Sequence, residues 1–139
     1  MNIAVSANNN DEVLIFPVIP NDIEVSTPQS NEEFQTINSG ILNLIGDIGL
    51  RSLSIASIFP THDYNWLKAG SSSNGWEYVD FFEKWRKEKV PIRIIIALKD
   101  GSEWLNMACT IDNFTYGIMR NEDIRYTLDL KEYTFVKAV

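Results

Sequence analysis

The sequence contains one cysteine and one histidine, and this scarcity removes most side chains that carry nucleophilic, redox or zinc chemistry. Cys109 cannot form a disulfide within the chain, and a single cysteine is compatible with a reducing compartment. His62 and Cys109 would need nearby carboxylates to hold zinc, but the acidic residues are scattered along the chain. We therefore expect His62 to be an ordinary surface residue and Cys109 to be a small buried apolar residue.

The familiar sequence signatures of catalysis are also missing. There is no Walker loop, no nucleophile elbow and no dinucleotide-binding fingerprint. No serine or cysteine is placed by the sequence to form a triad with His62. We expect no enzyme activity, no cofactor and no metal. A small hydrolase with paired carboxylates is the third and least favoured hypothesis.

Positive charge and long apolar runs are scarce too. The chain of 139 residues has 12 Lys and Arg against 19 Asp and Glu, which gives a net charge of −7. Nucleic acids and anionic membrane surfaces bind clustered basic residues, so neither is expected as a partner. No stretch approaches the roughly 18 apolar residues that a spanning helix needs. Residues 1–10 lack the basic and apolar regions of a secretory signal, which predicts a protein made and assembled in the cytoplasm.

The most strongly patterned stretch is residues 74–98, which predicts a helix followed by a buried strand. Aromatic residues recur at the spacing of one helical face, and these are Tyr78, Phe81, Phe82 and Trp85. Asn74 is the predicted cap, with Glu77 completing a capping box, and Pro91 ends the helix. Residues 92–98 are apolar on both faces, which predicts a strand inside a sheet with something covering each side.

Most of the remaining chain is predicted to form strands joined by turns. The predicted strands, in order, are 13–16, 23–26, 34–37, 41–45, 50–59, 104–119 and 124–131. Apolar residues change parity within the sixth strand, which predicts a β-bulge at Asp112 and Asn113. We expect an N-terminal arm over residues 1–12, although Ile3 and Val5 could extend a sheet edge.

A single domain is expected over residues 13–139. Several strands precede the helix and three long strands follow it, with no internal repeat. This order predicts an α+β fold, mainly an antiparallel β-sandwich or open barrel with one flanking helix.

The loop over residues 61–73 lacks a clear periodicity and contains two large aromatic residues, Tyr64 and Trp66. One interpretation is that both fold back on the core. Another is that they anchor a neighbouring chain, because interface hot spots are rich in Trp and Tyr. A third combines them with Trp76 and Trp104 as a sugar-stacking platform, although core packing accounts for most of these side chains. That platform would make the chain a carbohydrate- or cell-wall-binding module, which is the alternative function.

Several stretches, taken together and in order, resemble the N-terminal region of LysM-containing tail or baseplate proteins of PBSX-type phages. Such proteins occur in contractile-tailed prophages and phage-tail-like bacteriocins of Gram-positive bacteria. The resemblance covers residues 13–135. The stretches that carry it are FPVIP at 16–20, IGDIGLRSLSI at 45–55, IFP at 58–60, YVDFFEKW at 78–85, PIRII at 91–95 and DIRYTLDLKEY at 123–133.

The resemblance implies a tail-tube-like fold and a structural role in the virion tail or baseplate. It implies self-association in a hexameric ring next to the tail tube, with the tube and other baseplate proteins as partners. Whether the tail contracts stays open. The family usually continues into a LysM module, whereas this chain stops at Val139, so whether peptidoglycan is contacted stays open.

Ring assembly requires a heterologous interface between one face of each copy and the opposite face of the next. The candidate subunit interface consists of Arg51, Phe59, Tyr64 and Trp66. Two interpretations of the acidity stay open. The negative charge either lines a lumen through which DNA passes without sticking, or it keeps the protein soluble.

Overall fold

The structure is a computed structural model that describes residues 1–136, and in that range the chain forms nine β-strands and one α-helix. The strands are β1 Asn2–Ala7, β2 Glu12–Ile15, β3 Val25–Ser26, β4 Glu32–Thr36, β5 Gly40–Leu44, β6 Ser52–Phe59, β7 Ile92–Ala97, β8 Glu103–Ile118 and β9 Ile124–Glu132. The helix, α1, spans Trp76–Glu88. This mainly antiparallel sheet architecture with one helix confirms the predicted α+β class.

The strands form two separate sheets. Seven of the strands described in residues 1–136 form one antiparallel sheet in the order β2-β1-β7-β8-β9-β6-β3, which we call the main sheet. β4 and β5 pair only with each other, and we call this pair the hairpin. The two strands of the hairpin are joined at the predicted turn of Asn38, Ser39 and Gly40, where Gly40 adopts φ +73°.

The core lies between α1 and one face of the main sheet. The four aromatic residues that the sequence placed on one helical face are all buried there. Phe59 of β6 stacks on Tyr78 of the helix at 4.7 Å and on Tyr126 of β9 at 3.9 Å, between ring centroids. Full burial of such a side chain stabilises the fold by about 1.5–3 kcal/mol, so this aromatic cluster anchors the helix to the sheet.

The N-terminal end of α1 differs from the prediction, whereas its C-terminal end agrees with it. Asn74 Oδ1 accepts a hydrogen bond from the Trp76 N–H at 3.3 Å, but Gly75 occupies the cap position and the capping box is wrong. The Asn74 N–H donates to Ser72 Oγ, which takes the group that Glu77 would have bound. At the other end, Lys89 adopts φ 58° and the helix stops before Pro91, as predicted.

The predicted irregularity in β8 is confirmed. The pairing of β8 with β9 shifts between Ile111 and Asn113. The shift lets Met107 and Phe114, which have opposite parity in the sequence, face the same core. The bulge therefore reconciles the two sets of apolar residues.

The central strand β7 lies between β1 and β8, as expected for its apolar sequence. Ile92, Ile94 and Ile96 are buried against the helix side. On the other side Arg93 is exposed and Ile95 is half-buried, so residues 1–136 cover only one face of this strand. The expected second cover would have to come from outside this part of the chain.

The predicted N-terminal arm is wrong where it includes β1. Ile3 and Val5 are at most 1% exposed, and β1 pairs with β2 on one side and β7 on the other. The three asparagines at 8–10, which favoured a loose segment, form the turn between β1 and β2 with φ values of 55°, 55° and 63°. Asparagine tolerates this left-handed backbone better than most residues. The alternation of Ile3, Val5 and Ala7 was the better signal.

Candidate interaction surfaces

The hairpin exposes large apolar side chains on both faces. Phe34 pairs across from Leu42, and Glu32 pairs across from Leu44, so these four side chains share one face. Phe34 is 57% exposed, Leu42 41% and Leu44 47%, although each is an aromatic or aliphatic residue. An isolated two-stranded ribbon is marginally stable in water, and contiguous exposed apolar surface marks an interaction site. The hairpin is therefore the first candidate interaction surface.

Polar contacts fix the base of the hairpin. Gln29 Nε2 donates to the Gly46 carbonyl at 3.0 Å, and the Gly46 N–H donates to Asn31 Oδ1 at 3.0 Å. The Gly49 N–H donates to the Pro28 carbonyl at 2.7 Å. A Cβ at Gly46 would lie 1.7 Å from the Ser30 carbonyl oxygen, so only glycine permits this approach of the two chain segments. These contacts fix the segments that join the hairpin to β3 and β6.

The net negative charge of the molecule comes from the first 50 residues, which include the hairpin. Residues 1–50 contain seven Asp and Glu and no Lys or Arg, and Arg51 is the first basic residue. The remaining chain has 12 residues of each sign, so the whole net charge of −7 comes from the first 50 residues. The hairpin is consequently apolar and acidic, without a cation in its own segment.

A buried carboxylate organises the opposite end of β6 and β9. Asp123 is 2% exposed and accepts hydrogen bonds from the Thr61 N–H at 2.8 Å and the Tyr64 hydroxyl at 2.7 Å. Asn121 Nδ2 donates to it at 3.1 Å, and His62 Nδ1 lies 3.2 Å from Oδ1. We call these five residues the Asp123 cluster. The cluster ties the loop that follows β6 to the turn between β8 and β9.

Hydrogen bonding sets the pKa of Asp123. Burial by itself raises the pKa of this carboxyl group, but the hydrogen bonds from Thr61, Tyr64 and His62 outweigh burial and lower the pKa below its ordinary value. The same hydrogen bond to Asp123, helped by burial, raises the pKa of Tyr64. His62 is exposed, as predicted, but its polar partner was not foreseen, because the sequence separates the two residues by 61 positions.

The Asp123 cluster supports a second exposed aromatic surface. Tyr64 and Trp66 stack with ring centroids 4.8 Å apart, and Trp66 is 56% exposed. Trp76 and Tyr116 meet edge to face at 6.3 Å, and both are partly exposed. The interpretation that Trp66 folds into the core is therefore wrong. Tyr64 is held by the buried carboxylate.

The sugar-stacking platform is not assembled on one surface. Trp104 lies at the start of β8, whereas Trp76 contacts Tyr116 near the end of that strand. The two positions are about 40 Å apart along the strand at 3.3–3.4 Å per residue. A platform that uses both tryptophans at once therefore does not form in this fold.

The four residues of the predicted subunit interface fall in three different environments. The Arg51 guanidinium lies 3.0 Å from Glu132 Oε2, and hydrogen bonds from Arg51 lower the pKa of Glu132. Phe59 is fully buried, so as a surface contact it is a wrong choice; its alternation with Leu53 and Ile55 was a core signal. Tyr64 and Trp66 lie together at the Phe59 end of β6, and Arg51 precedes the other end.

A groove of about 390 Å³ opens where β8 and β9 approach their connecting turn. Its lining includes Thr115, Gly117, Ile118, Arg120, Arg125 and Thr127, and no carboxylate. Arg120 and Arg125 form no ion pair with any residue between 1 and 136. A Cβ added at Gly117 would meet nothing within 4 Å, so this position is open to the outside. We call this the arginine groove.

Metal-binding side chains are not gathered into a site within residues 1–136. Among residues 1–136, no group of three or more His, Cys, Asp or Glu could hold a metal ion. Cys109 is fully buried, as predicted, and burial raises the pKa of its thiol to about 12. No helix within the same range is long and apolar enough to cross a membrane.

Comparison with other sequences gives one informative relative. No protein-family model matches the chain. The chain is 28% identical over 122 residues to YqbP, an uncharacterized protein of Bacillus subtilis (strain 168). The match covers 86% of this chain and 54% of YqbP, so the chain spans about half the length of this relative.

Comparison with solved structures shows the fold. The chain is similar to one in the tail of an empty gene transfer agent particle, computed with helical refinement and C6 symmetry. That likeness has a TM-score of 0.62 and 11% identity and covers 100% of this chain and 95% of the other. A chain of the native gene transfer agent virion is similar with a TM-score of 0.59 and 12% identity, over 96% and 92% of the two chains. The chain therefore shares its fold with chains of gene transfer agent particles, and the resemblance to LysM-containing proteins of PBSX-type phages stays a prediction.

Proposed function

We propose that this chain is a structural, non-enzymatic component of a phage-tail-like particle, a ring subunit that lies next to the tail tube in the tail or baseplate. The observation that carries the proposal is the hairpin, an ordered surface whose apolar side chains stay exposed in the single chain. Such a surface fits a protein whose stable form is an assembly. The shared fold with a tail chain in a C6-symmetric particle supports a six-membered ring.

The edges of the main sheet support lateral ring closure. β3 pairs with only Leu53 and Ser52 of β6, which leaves residues 54–59 without a strand partner on that side within the described part of the chain. The opposite edge is β2, a strand of four residues. Two different edges of one sheet can join neighbouring copies head to tail, which is the heterologous contact that a closed ring needs. Arg51, Tyr64 and Trp66 remain proposed contacts.

The alternative function, a cell-wall-binding module, has weaker support, because only Tyr64 and Trp66 form an exposed aromatic stack. Trp104 and Trp76 lie far apart along β8, so the aromatic residues available for sugar stacking are divided between surfaces. The structural role accounts for the exposed hairpin, and sugar binding does not.

Assembly of the purified protein tests the proposal. Sedimentation velocity over a wide concentration range, followed by electron microscopy, should detect rings of six copies for the wild type. The double substitution Phe34→Ser and Leu42→Ser should leave a folded monomer. Leu98→Ser is the matched control, because Leu98 is also exposed but lies outside the hairpin, and it should assemble normally. A wild-type protein that stays monomeric and is absent from purified tail particles would contradict the proposal.

A further inference from the structure

The geometry points to a specific receptor for the hairpin: the arginine groove of a second copy of this chain. We propose that the apolar, acidic face of one hairpin docks in the arginine groove of the next copy, so that copies join end to end. This inference rests on the proposed function, because it names the partner of the surface that carries that proposal.

The two surfaces lie at opposite ends of the same strand pair. The hairpin ends at Leu44 and residues 45–51 connect it to Ser52, the first residue of β6. The groove lies beside the turn that precedes Ile124, the first residue of β9. Because Ser52 pairs with Lys131 and Phe59 with Ile124, the groove is at the far end of β6 from the hairpin. Eight strand residues span about 26 Å. A contact between these two ends joins different molecules and repeats from copy to copy.

Charge complementarity selects the groove as the receptor. The hairpin carries Glu32 and Glu33, and residues 1–50 offer no cation to neutralise them. Arg120 and Arg125 line the groove, which has no carboxylate in its lining, and neither forms an ion pair with residues 1–136. A second groove with basic residues, at the end of α1, includes Lys89 and Arg86, and Arg86 already pairs with Glu83 at 3.2 Å. Opposite charges of this kind set register and partner choice at an interface.

Shape and apolarity agree with the charge. Gly117 leaves the groove open at a point where any other residue would place a side chain. Met119, a half-buried residue that also lines the groove, offers apolar contact there. The groove can therefore receive Phe34 while Glu32, on the same hairpin face, remains near the arginines.

Disulfide trapping tests the contact directly. Two variants, Phe34→Cys and Thr115→Cys, are mixed under mild oxidation, and native Cys109 does not compete because it is buried. We expect a cross-linked heterodimer from the mixture. The matched control is Asn106→Cys, an exposed residue on the same strand and the same outer face but far from the groove, which should not cross-link with Phe34→Cys.

Charge reversal tests the receptor independently. Glu32→Lys or Arg125→Glu should each weaken association about tenfold or more, and combining the two should restore it to near the wild-type value. Gly117→Val should block association while leaving the free energy of unfolding unchanged or higher, because the new side chain meets open space and favours a strand. Lys87→Glu, a reversal on the exposed helix surface, should have no effect.

The outcomes separate this inference from the proposed function. Equal cross-linking at Thr115 and Asn106, a hairpin-to-hairpin disulfide, or failure of the combined charge reversal to restore association would overturn the inference. If these occur while rings still form or the protein still copurifies with tail particles, the proposed function stands and the hairpin binds a different tail protein. If the wild-type protein neither assembles nor copurifies with tail particles, both the inference and the proposed function are overturned.

Discussion

The main sheet and the hairpin use the same kinds of apolar residue with opposite results. In the main sheet, Ile3, Ile94 and Leu128 are fully buried beneath α1. In the hairpin, Phe34 and Leu44 are about half exposed, although their strands also alternate and their turn is also well formed. The difference is the presence of a covering layer. The main sheet finds its cover within the chain, and we propose that the hairpin is covered by another molecule.

The largest effect expected from this contrast comes from truncating aromatic residues in the two regions. Phe82→Ala should lower the free energy of unfolding by about 3–5 kcal/mol, because it leaves a cavity between α1 and the main sheet. Phe34→Ala should change it by less than about 0.5 kcal/mol, as expected for an exposed side chain, while weakening assembly. Chemical denaturation of dilute protein measures both. Equal destabilisation would show that the hairpin packs within its own chain.

A smaller effect is expected at the Asp123 cluster, where polar groups are buried. Asp123→Asn should lower the free energy of unfolding by about 1–3 kcal/mol, because the amide cannot accept all the hydrogen bonds that the carboxylate accepts. It should also expose Trp66 to faster quenching of its fluorescence, since Tyr64 loses its anchor. Asp63→Asn is the control, because Asp63 is an exposed acidic residue of the same loop. If Asp123→Asn and Asp63→Asn change the free energy of unfolding equally, the Asp123 cluster does not stabilise the fold as proposed.

The pH dependence of stability sharpens the comparison further. The pKa values of Asp123 and Glu132 are lowered by hydrogen bonds in the folded protein, so both groups stabilise the fold above their unfolded pKa of about 4. This stability is lost as the pH falls through the lower folded pKa values. Unfolding measured at pH 7, 5 and 3 should show a loss below about pH 4. In Asp123→Asn with Glu132→Gln the curve should be flatter, and an unchanged slope would contradict the assignment.

The smallest effect is expected for the partly exposed ion pair beside the hairpin. Arg51→Ala should lower the free energy of unfolding by less than about 1 kcal/mol, since solvent screens the pair with Glu132. If Arg51 is a subunit contact, as proposed, association should weaken by more than this stability change accounts for. Arg86→Ala, which breaks an ion pair on the helix surface, is the control. Equal effects of the two on association would leave Arg51 without a role in assembly.

Local sequence patterns predicted the helix, the hairpin and the β8 bulge because each depends on residues close together in the chain. The apolar parity change around Asp112 and Asn113 is such a local signal. The position of β1 was missed because the three asparagines at 8–10 outweighed the alternation of Ile3 and Val5 in the prediction. That alternation indicates a strand but not its neighbours, which β7 supplies from about 90 residues away.

The candidate surfaces were harder to predict than the elements. Phe59, chosen as an interface residue, is buried because Tyr78 and Tyr126 meet it from distant parts of the chain. Tyr64 and Trp66, two aromatic residues of one predicted loop, stack on each other, but the carboxylate that holds Tyr64 comes from residue 123. The exposure of the hairpin could not be read from its alternation, since the same pattern fits a half-buried strand. Its acidity, by contrast, is visible in the sequence of residues 1–50.

Hydrogen–deuterium exchange of the wild-type protein, compared between dilute monomer and assembled particles, tests the central claim most directly. The claim is that another molecule covers the hairpin in the assembly. Amides of β4 and β5 should exchange quickly in the monomer and become strongly protected on assembly, whereas those of β7 should be protected in both states. Hairpin amides that exchange equally fast in the assembled particle would contradict the account.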